Sequence, residues 1–165
     1  MAVTLHLADS EATVALGRAL ASILSGMHAP PALLLQGELG SGKTTLVRGF
    51  VESLPGADMA EVSSPSFNIC NLYPTEPRVA HFDLYRLEGM EPDDALFDCL
   101  EDPATITVVE WIQYLPRKYW PDEAIFLEWT PSDTGRSLVL HAMGGTAQQA
   151  LDALRTRREP HQEEQ

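Results

Sequence analysis

Basic residues are scarce in this chain, and cysteines are scarcer. Eleven lysines and arginines face 24 aspartates and glutamates over 165 residues, a formal charge of −13. A surface this acidic repels phosphodiester backbones and lacks the basic stripe of a nucleic-acid binder. Direct DNA binding is therefore not expected, and any contact with RNA falls mainly to a partner. The acidity also serves solubility, so it removes one class of function without choosing another. The two cysteines, Cys70 and Cys99, stand far apart with no C-x-x-C or metal-ligand spacing, and both are expected to be reduced and partly buried. No basic segment followed by an apolar stretch opens the chain, and no apolar run approaches membrane-spanning length, so a soluble, cytoplasmic protein is expected. With 44% hydrophobic residues the chain can build one substantial core. A single domain is expected over residues 1–156, followed by a polar, charged and disordered tail over 157–165.

What is present is a phosphate-binding loop. Gly37-Glu38-Leu39-Gly40-Ser41-Gly42-Lys43-Thr44-Thr45 fits G-x-x-x-x-G-K-[ST]. Its glycines allow turns that a Cβ would obstruct, so successive N–H groups can point at one anion. Lys43 brings a compact positive charge to the outer phosphates, and the Thr44 hydroxyl is placed to ligate Mg²⁺. The helix that follows presents its N-terminal donors and dipole to the same anion. The context the motif needs is legible on both sides. Residues 32–35 form a short apolar run after Pro30-Pro31, and Leu46, Val47, Phe50, Val51 and Leu54 recur at helical spacing until Pro55-Gly56. The chain is expected to bind a nucleoside triphosphate.

Around this unit the pattern is mixed. Residues 3–7 alternate as a strand, and Asp9 or Ser10 can cap a helix whose Leu16, Leu20, Ile23 and Leu24 share a face, with Gly26 closing it. Further strands are expected at 67–73, 79–84, 105–110, 124–129 and 137–143. The alternation in the last suggests an outer antiparallel strand. Thr146 with Gln149 forms a capping box before a helix that buries Ala147, Ala150, Leu151 and Leu154. The fold class is α/β: a P-loop NTPase-like mixed sheet flanked by helices, with an N-terminal β-α element before the phosphate-loop strand.

Four later segments bear on what the nucleotide is for. Ser63-Ser64-Pro65-Ser66-Phe67 carries hydroxyls where a segment can close over a terminal phosphate. His81-Phe82-Asp83-Leu84-Tyr85-Arg86-Leu87 ends an apolar strand on Asp83, and Val108-Val109-Glu110-Trp111 ends another on Glu110. The two carboxylates and Thr44 suit a water-rich octahedral Mg²⁺ site. Taken singly, each residue has an ordinary structural role open to it: a capping or surface carboxylate for Asp83 and Glu110, packing for Trp111, a turn for Ser66, surface pairing for Arg86. His81 reads as a satisfied strand histidine without catalytic duty.

In this order, G-E-L-G-S-G-K-T-T, S-S-P-S-F, H-F-D-L-Y-R-L and V-E-W resemble the TsaE family, bacterial ATPases needed to make threonylcarbamoyladenosine in tRNA. The resemblance implies that Glu38, Leu39, Gly40, Ser41, Gly42, Lys43, Thr44 and Thr45 hold ATP, with Trp111 beside it. It also implies that Thr44, Asp83 and Glu110 serve Mg²⁺, and that Asp83, Glu110 and Ser66 serve catalysis. Ser66 stands where family members usually carry Thr. Ile112 and Gln113 depart from the Pro or Gly and acidic residue that often follow the Glu-Trp pair. ATP would be hydrolysed to ADP and phosphate, slowly without partners, to reset a TsaD–TsaB-type complex that performs the threonylcarbamoyl transfer and reaches the tRNA.

Two other classes stay open. A small-molecule P-loop kinase would need an acceptor pocket and an arginine-rich lid, and the few arginines after the loop form no cluster. A nucleotide-binding adaptor would sense ATP without turnover. A signalling GTPase would need N-K-x-D, which is absent from the sequence.

Overall fold

The apolar run after Pro30-Pro31 forms β2 (Ala32–Gln36), whose first four residues are buried. Leu33 and Leu35 join one hydrophobic core while Leu34 joins a second, so the strand is covered on both faces. The computed structural model describes residues 2–63, 65 and 69–158. It contains β1 (Ala2–Leu7), α1 (Ser10–Ser25), β2, α2 (Lys43–Glu52), β3 (Cys70–Tyr73), β4 (Arg78–Asp83), α3 (Asp94–Glu101), β5 (Thr105–Glu110), β6 (Ala124–Pro131), β7 (Arg136–Met143) and α4 (Gly145–Arg158).

The strands form one sheet in the order β1-β7-β6-β2-β5-β4-β3. Its centre, β6-β2-β5-β4, is parallel, and β7 and β3 run antiparallel to their neighbours. Helices α1, α2 and α4 cover one face and supply Leu16, Leu20, Phe50 and Leu151 to the larger core. The second face is covered around the β2, β4 and β5 strands by α3 and short 3₁₀ turns, through Leu96, Ile112 and Leu115. The mixed α/β sheet with an N-terminal β-α element is as the sequence pattern predicts.

The N-terminal element is clamped to the loop helix at two glycines. A Cβ on Gly17 of α1 would lie 2.3 Å from the Leu46 carbonyl oxygen, and one on Gly49 of α2 would lie 2.4 Å from that of Val14. Neither position can carry a side chain at this helix separation. Asp9 caps α1, its Oδ1 accepting the Ala12 N–H at 2.8 Å, and Gly26 ends the helix.

Several details differ from the sequence pattern. Strand β7 is antiparallel but interior, paired with β6 on one side and β1 on the other. Its alternation reflects a sheet region covered by helices on one face only, which interior and edge strands share. The capping box at Thr146 does not begin α4. The helix starts at Gly145, and the Ala147 N–H donates to the Glu123 carboxylate at 3.1 Å instead. Helix α4 also continues through Arg158, two residues into the expected tail, and 159–165 lie outside the described residues. Helix α3, capped by Asp93 accepting from the Ala95 N–H, was not read from the sequence, because its eight residues carry one fully buried side chain, Leu96. The expected strand at 67–73 begins outside the described residues; Ile69 turns at φ +64°, and β3 starts only at Cys70.

Cys70 and Cys99 are free, half-buried thiols, as their spacing implies. Among the described residues, no helix is long and apolar enough to cross a membrane.

Candidate functional site

Parallel strands β2, β4, β5 and β6 end on the same edge of the sheet, and the segment from Gly37 to Gly42 turns there into α2. Gly40 (φ +75°) and Gly42 (φ +113°) lie in the left-handed region, where a Cβ is strained. Gly42 is the N-cap of α2, so the helix presents its unpaired N–H groups and positive dipole end at the loop.

Lys43, the first residue of α2, is buried. Its Nζ donates to the carbonyl oxygens of Gly37 at 2.5 Å and Glu38 at 2.8 Å, and to Ser41 Oγ at 3.2 Å. These acceptors match the three protons of an ammonium. The same nitrogen stands 4.5 Å from the centre of the Trp111 ring. Burial lowers the Lys43 pKa from its ordinary value, and the carboxylates of Glu110, Asp83 and Glu38 oppose that shift.

Thr44 follows, and its hydroxyl donates to Glu110 Oε1 at 3.1 Å. Glu110 ends β5, opposite Leu35 of β2 on one side and Asp83 of β4 on the other. Asp83 Oδ1 accepts the Tyr85 N–H at 2.9 Å, which fixes the turn leaving β4. Trp111 sits at φ +59°, a left-handed conformation unusual for so bulky a residue. It stacks on Tyr114 at 5.7 Å and 10° and packs against Tyr85 at 4.7 Å, which fixes the indole beside Lys43. A cleft of about 420 Å³ opens here between the loop and Asp83, Arg86, Glu110 and Trp111.

The structure thus brings Glu38, Leu39, Gly40, Ser41, Gly42, Lys43, Thr44 and Thr45 together with Asp83, Glu110 and Trp111 at one sheet edge. Ser66 and Phe67 lie outside the described residues. Thr44 Oγ1 and Glu110 Oε1 offer adjacent hard oxygen donors with Asp83 one strand over. Among the described residues no three His, Cys, Asp or Glu side chains cluster as a metal cage. That donor set suits Mg²⁺, which keeps several waters and phosphate oxygens in its shell, better than a metal needing an all-protein cage.

Four residues were not assigned to the site from the sequence. Arg136, at the start of β7, donates from Nη2 to the Gly40 carbonyl at 3.3 Å. It helps line a second cleft of about 250 Å³ between the loop, including Thr45, and the β1–α1 junction with Asp9 and Thr13. Trp129 of β6 lies under the loop, and its buried Nε1 has no hydrogen-bond partner among the described residues. His81 is a satisfied strand histidine, as expected: its Nε2 lies 2.8 Å from Glu110 Oε2, and Tyr73 holds its other nitrogen. Only the alternation of β4, which aims His81 at one face and Asp83 at the same face, hinted at that contact.

The sheet order, the loop at the end of β2 and the carboxylates ending the neighbouring strands define a P-loop NTPase-like α/β protein. Crystallographic Bacillus subtilis YdiB has the same fold, with a TM-score of 0.75 over 96% of this chain and 97% of that one at 22% identity. The chain belongs to the TsaE family: residues 7–138 match the model described as threonylcarbamoyl adenosine biosynthesis protein TsaE. The tRNA threonylcarbamoyladenosine biosynthesis protein TsaE of Nostoc sp. PCC 7120 is 36% identical over 137 residues, covering 79% of this chain and 80% of that protein. The protein of the same name from Haemophilus influenzae is 31% identical over 115 residues, covering 66% and 70%.

Proposed function

We propose that the protein is a Mg²⁺-dependent ATPase supporting threonylcarbamoyladenosine modification of tRNA. It hydrolyses ATP to ADP and phosphate to reset a TsaD–TsaB-type complex, and does not itself transfer the threonylcarbamoyl group. The observation that carries this reading is the meeting of Lys43, Thr44 and Glu110 at the loop, in a chain of the TsaE family.

The loop N–H groups and the α2 N-terminus bind the phosphates, with Lys43 on the outer ones. The nucleoside extends past Thr45 into the cleft beside Thr13 and Arg136. Mg²⁺, held by Thr44 with Glu110 and Asp83, would supply the positive charge that offsets the phosphates. Glu110 and Asp83 also orient the attacking water, and the family resemblance assigns the Ser66 hydroxyl to the terminal phosphate. Loss of that phosphate releases the segment around it, which changes the face offered to the partner. Leu39 is 72% exposed and Tyr85 45% exposed at the mouth of the cleft, apolar surface suited to a partner contact there. The partner, rather than this acidic chain, reaches the tRNA.

Single-turnover hydrolysis of ATP, compared with ATP-dependent binding to the partner pair, tests this reading. Partner binding that needs ATP but never consumes it would make the protein an adaptor.

A further inference from the structure

Glu110 is 2% exposed and His81 is fully buried, so neither polar group is satisfied by bulk water. A buried carboxylate is expensive unless its oxygens have partners. Glu110 has one on each side: Thr44 donates to Oε1, and His81 Nε2 stands 2.8 Å from Oε2. The orientation of the imidazole is fixed in turn by Tyr73, whose hydroxyl lies 3.1 Å from Nδ1. With Tyr73 donating to Nδ1, the neutral ring carries its proton on Nε2 and donates it to Glu110 Oε2. The Tyr73 oxygen also lies 3.3 Å from the Ser63 carbonyl, to which the Asn71 amide donates at 3.1 Å.

We propose that His81, oriented by Tyr73, is the positioning residue for Glu110, holding its Oε2 so that Oε1 stays on Thr44 and faces the metal and water side of the cleft. The inference rests on the ATPase reading above. His81 does not line the cleft, whose walls come from the loop together with Asp83, Tyr85, Arg86, Glu110 and Trp111. Among the described residues its side chain hydrogen-bonds to Tyr73 and Glu110, so its route to the cleft is through Glu110. The chain Tyr73–His81–Glu110–Thr44 ties β3 to the α2 terminus through buried and part-buried hydrogen bonds. Outer partners of this kind set the aim of a carboxylate that has more than one rotamer available.

The test compares His81→Leu, His81→Gln and Tyr73→Phe in the full chain. Three quantities are followed: turnover of ATP with Mg²⁺, the Mg²⁺ midpoint of ATP binding by calorimetry, and Tm. His81→Leu should lower kcat by about 10–100-fold and raise the Mg²⁺ midpoint, with KM for ATP within about twofold. Glutamine places an amide N–H near the position of Nε2, so His81→Gln should recover most of both losses. Tyr73→Phe should give a smaller loss of kcat and no change in KM. If His81→Leu fails to fold, Tyr73→Phe and His81→Gln decide. Unchanged kcat and Mg²⁺ midpoint in Tyr73→Phe, or equal losses in the glutamine and leucine variants that follow Tm, would overturn the assignment. Absence of turnover in the wild type would sink the ATPase reading instead. The Mg²⁺ midpoint would then judge His81: a shift in His81→Leu that His81→Gln repairs supports positioning, and no shift refutes it.

Discussion

Asp83 and Glu110 end adjacent parallel strands in direct register, yet their carboxylates are held by different groups. Asp83 accepts a main-chain N–H from its own turn, whereas Glu110 lies between the Thr44 hydroxyl and the His81 ring. Both carboxylates line the cleft, and that of Glu110 is hydrogen-bonded to the loop helix. Glu110→Gln keeps the volume and one acceptor, so the fold should survive. Turnover should fall by about 10²–10⁴-fold while ATP affinity stays within about threefold. Parallel calorimetry and single-turnover assays check this, and equal losses of binding and turnover would assign Glu110 a structural role.

Lys43 is the cation at the head of the loop, with three acceptors and the Trp111 face around it. Lys43→Ala should abolish tight triphosphate binding, read by titration of ATP with Mg²⁺ present. Near-normal affinity would mean that the loop does not hold the phosphates. Trp111→Phe keeps an aromatic ring on Tyr114 and should change binding far less than Lys43→Ala.

The contact between α1 and α2 predicts a stability difference between two glycines. Gly49→Ala drives a methyl to 2.4 Å from the Val14 carbonyl oxygen, whereas a Cβ at Gly145 meets nothing within 4 Å. Gly49→Ala should destabilise by about 1–3 kcal/mol as overpacking does. Gly145→Ala should be neutral or stabilise by up to about 1 kcal/mol through the unfolded chain. Urea unfolding of the two variants measures both.

Burial pushes the Cys70 thiol up to about 11 from an ordinary value of 9.0, and the neighbouring Cys99 adds to the shift. The folded protein keeps this proton to higher pH than the unfolded chain, so the contribution to stability is complete below pH 9.0 and is lost as pH rises towards about 11. The unfolding free energy of the wild type should therefore fall more steeply across that window than that of Cys70→Ala. Parallel curves would remove the thiol from the account. Alkylation of Cys70 by iodoacetamide should likewise be slow near neutral pH.

Much of the fold could be read because its signals are local. The loop motif, the apolar β2 and the one-faced helices α1, α2 and α4 each announce themselves within a few turns of chain. Strand order and the interior place of β7 depend on pairing between distant segments, which alternation does not record. At the site, Lys43, Thr44, Asp83 and Glu110 were legible because strand ends and the loop share an edge in this kind of sheet. Arg136 was not, since its contact with Gly40 spans 96 residues. His81 is the satisfied strand histidine the sequence suggests, but its partner was not legible, because Glu110 lies one strand away in a register that only the folded sheet supplies.

Hydrolysis of ATP with Mg²⁺, measured for the protein alone and with a TsaD–TsaB pair added, tests the central claim most directly. The account predicts slow turnover alone, strong stimulation by the pair, and loss of both in Glu110→Gln. Tight ATP binding with no turnover in either condition would contradict it and leave Asp83 and Glu110 as parts of a nucleotide sensor.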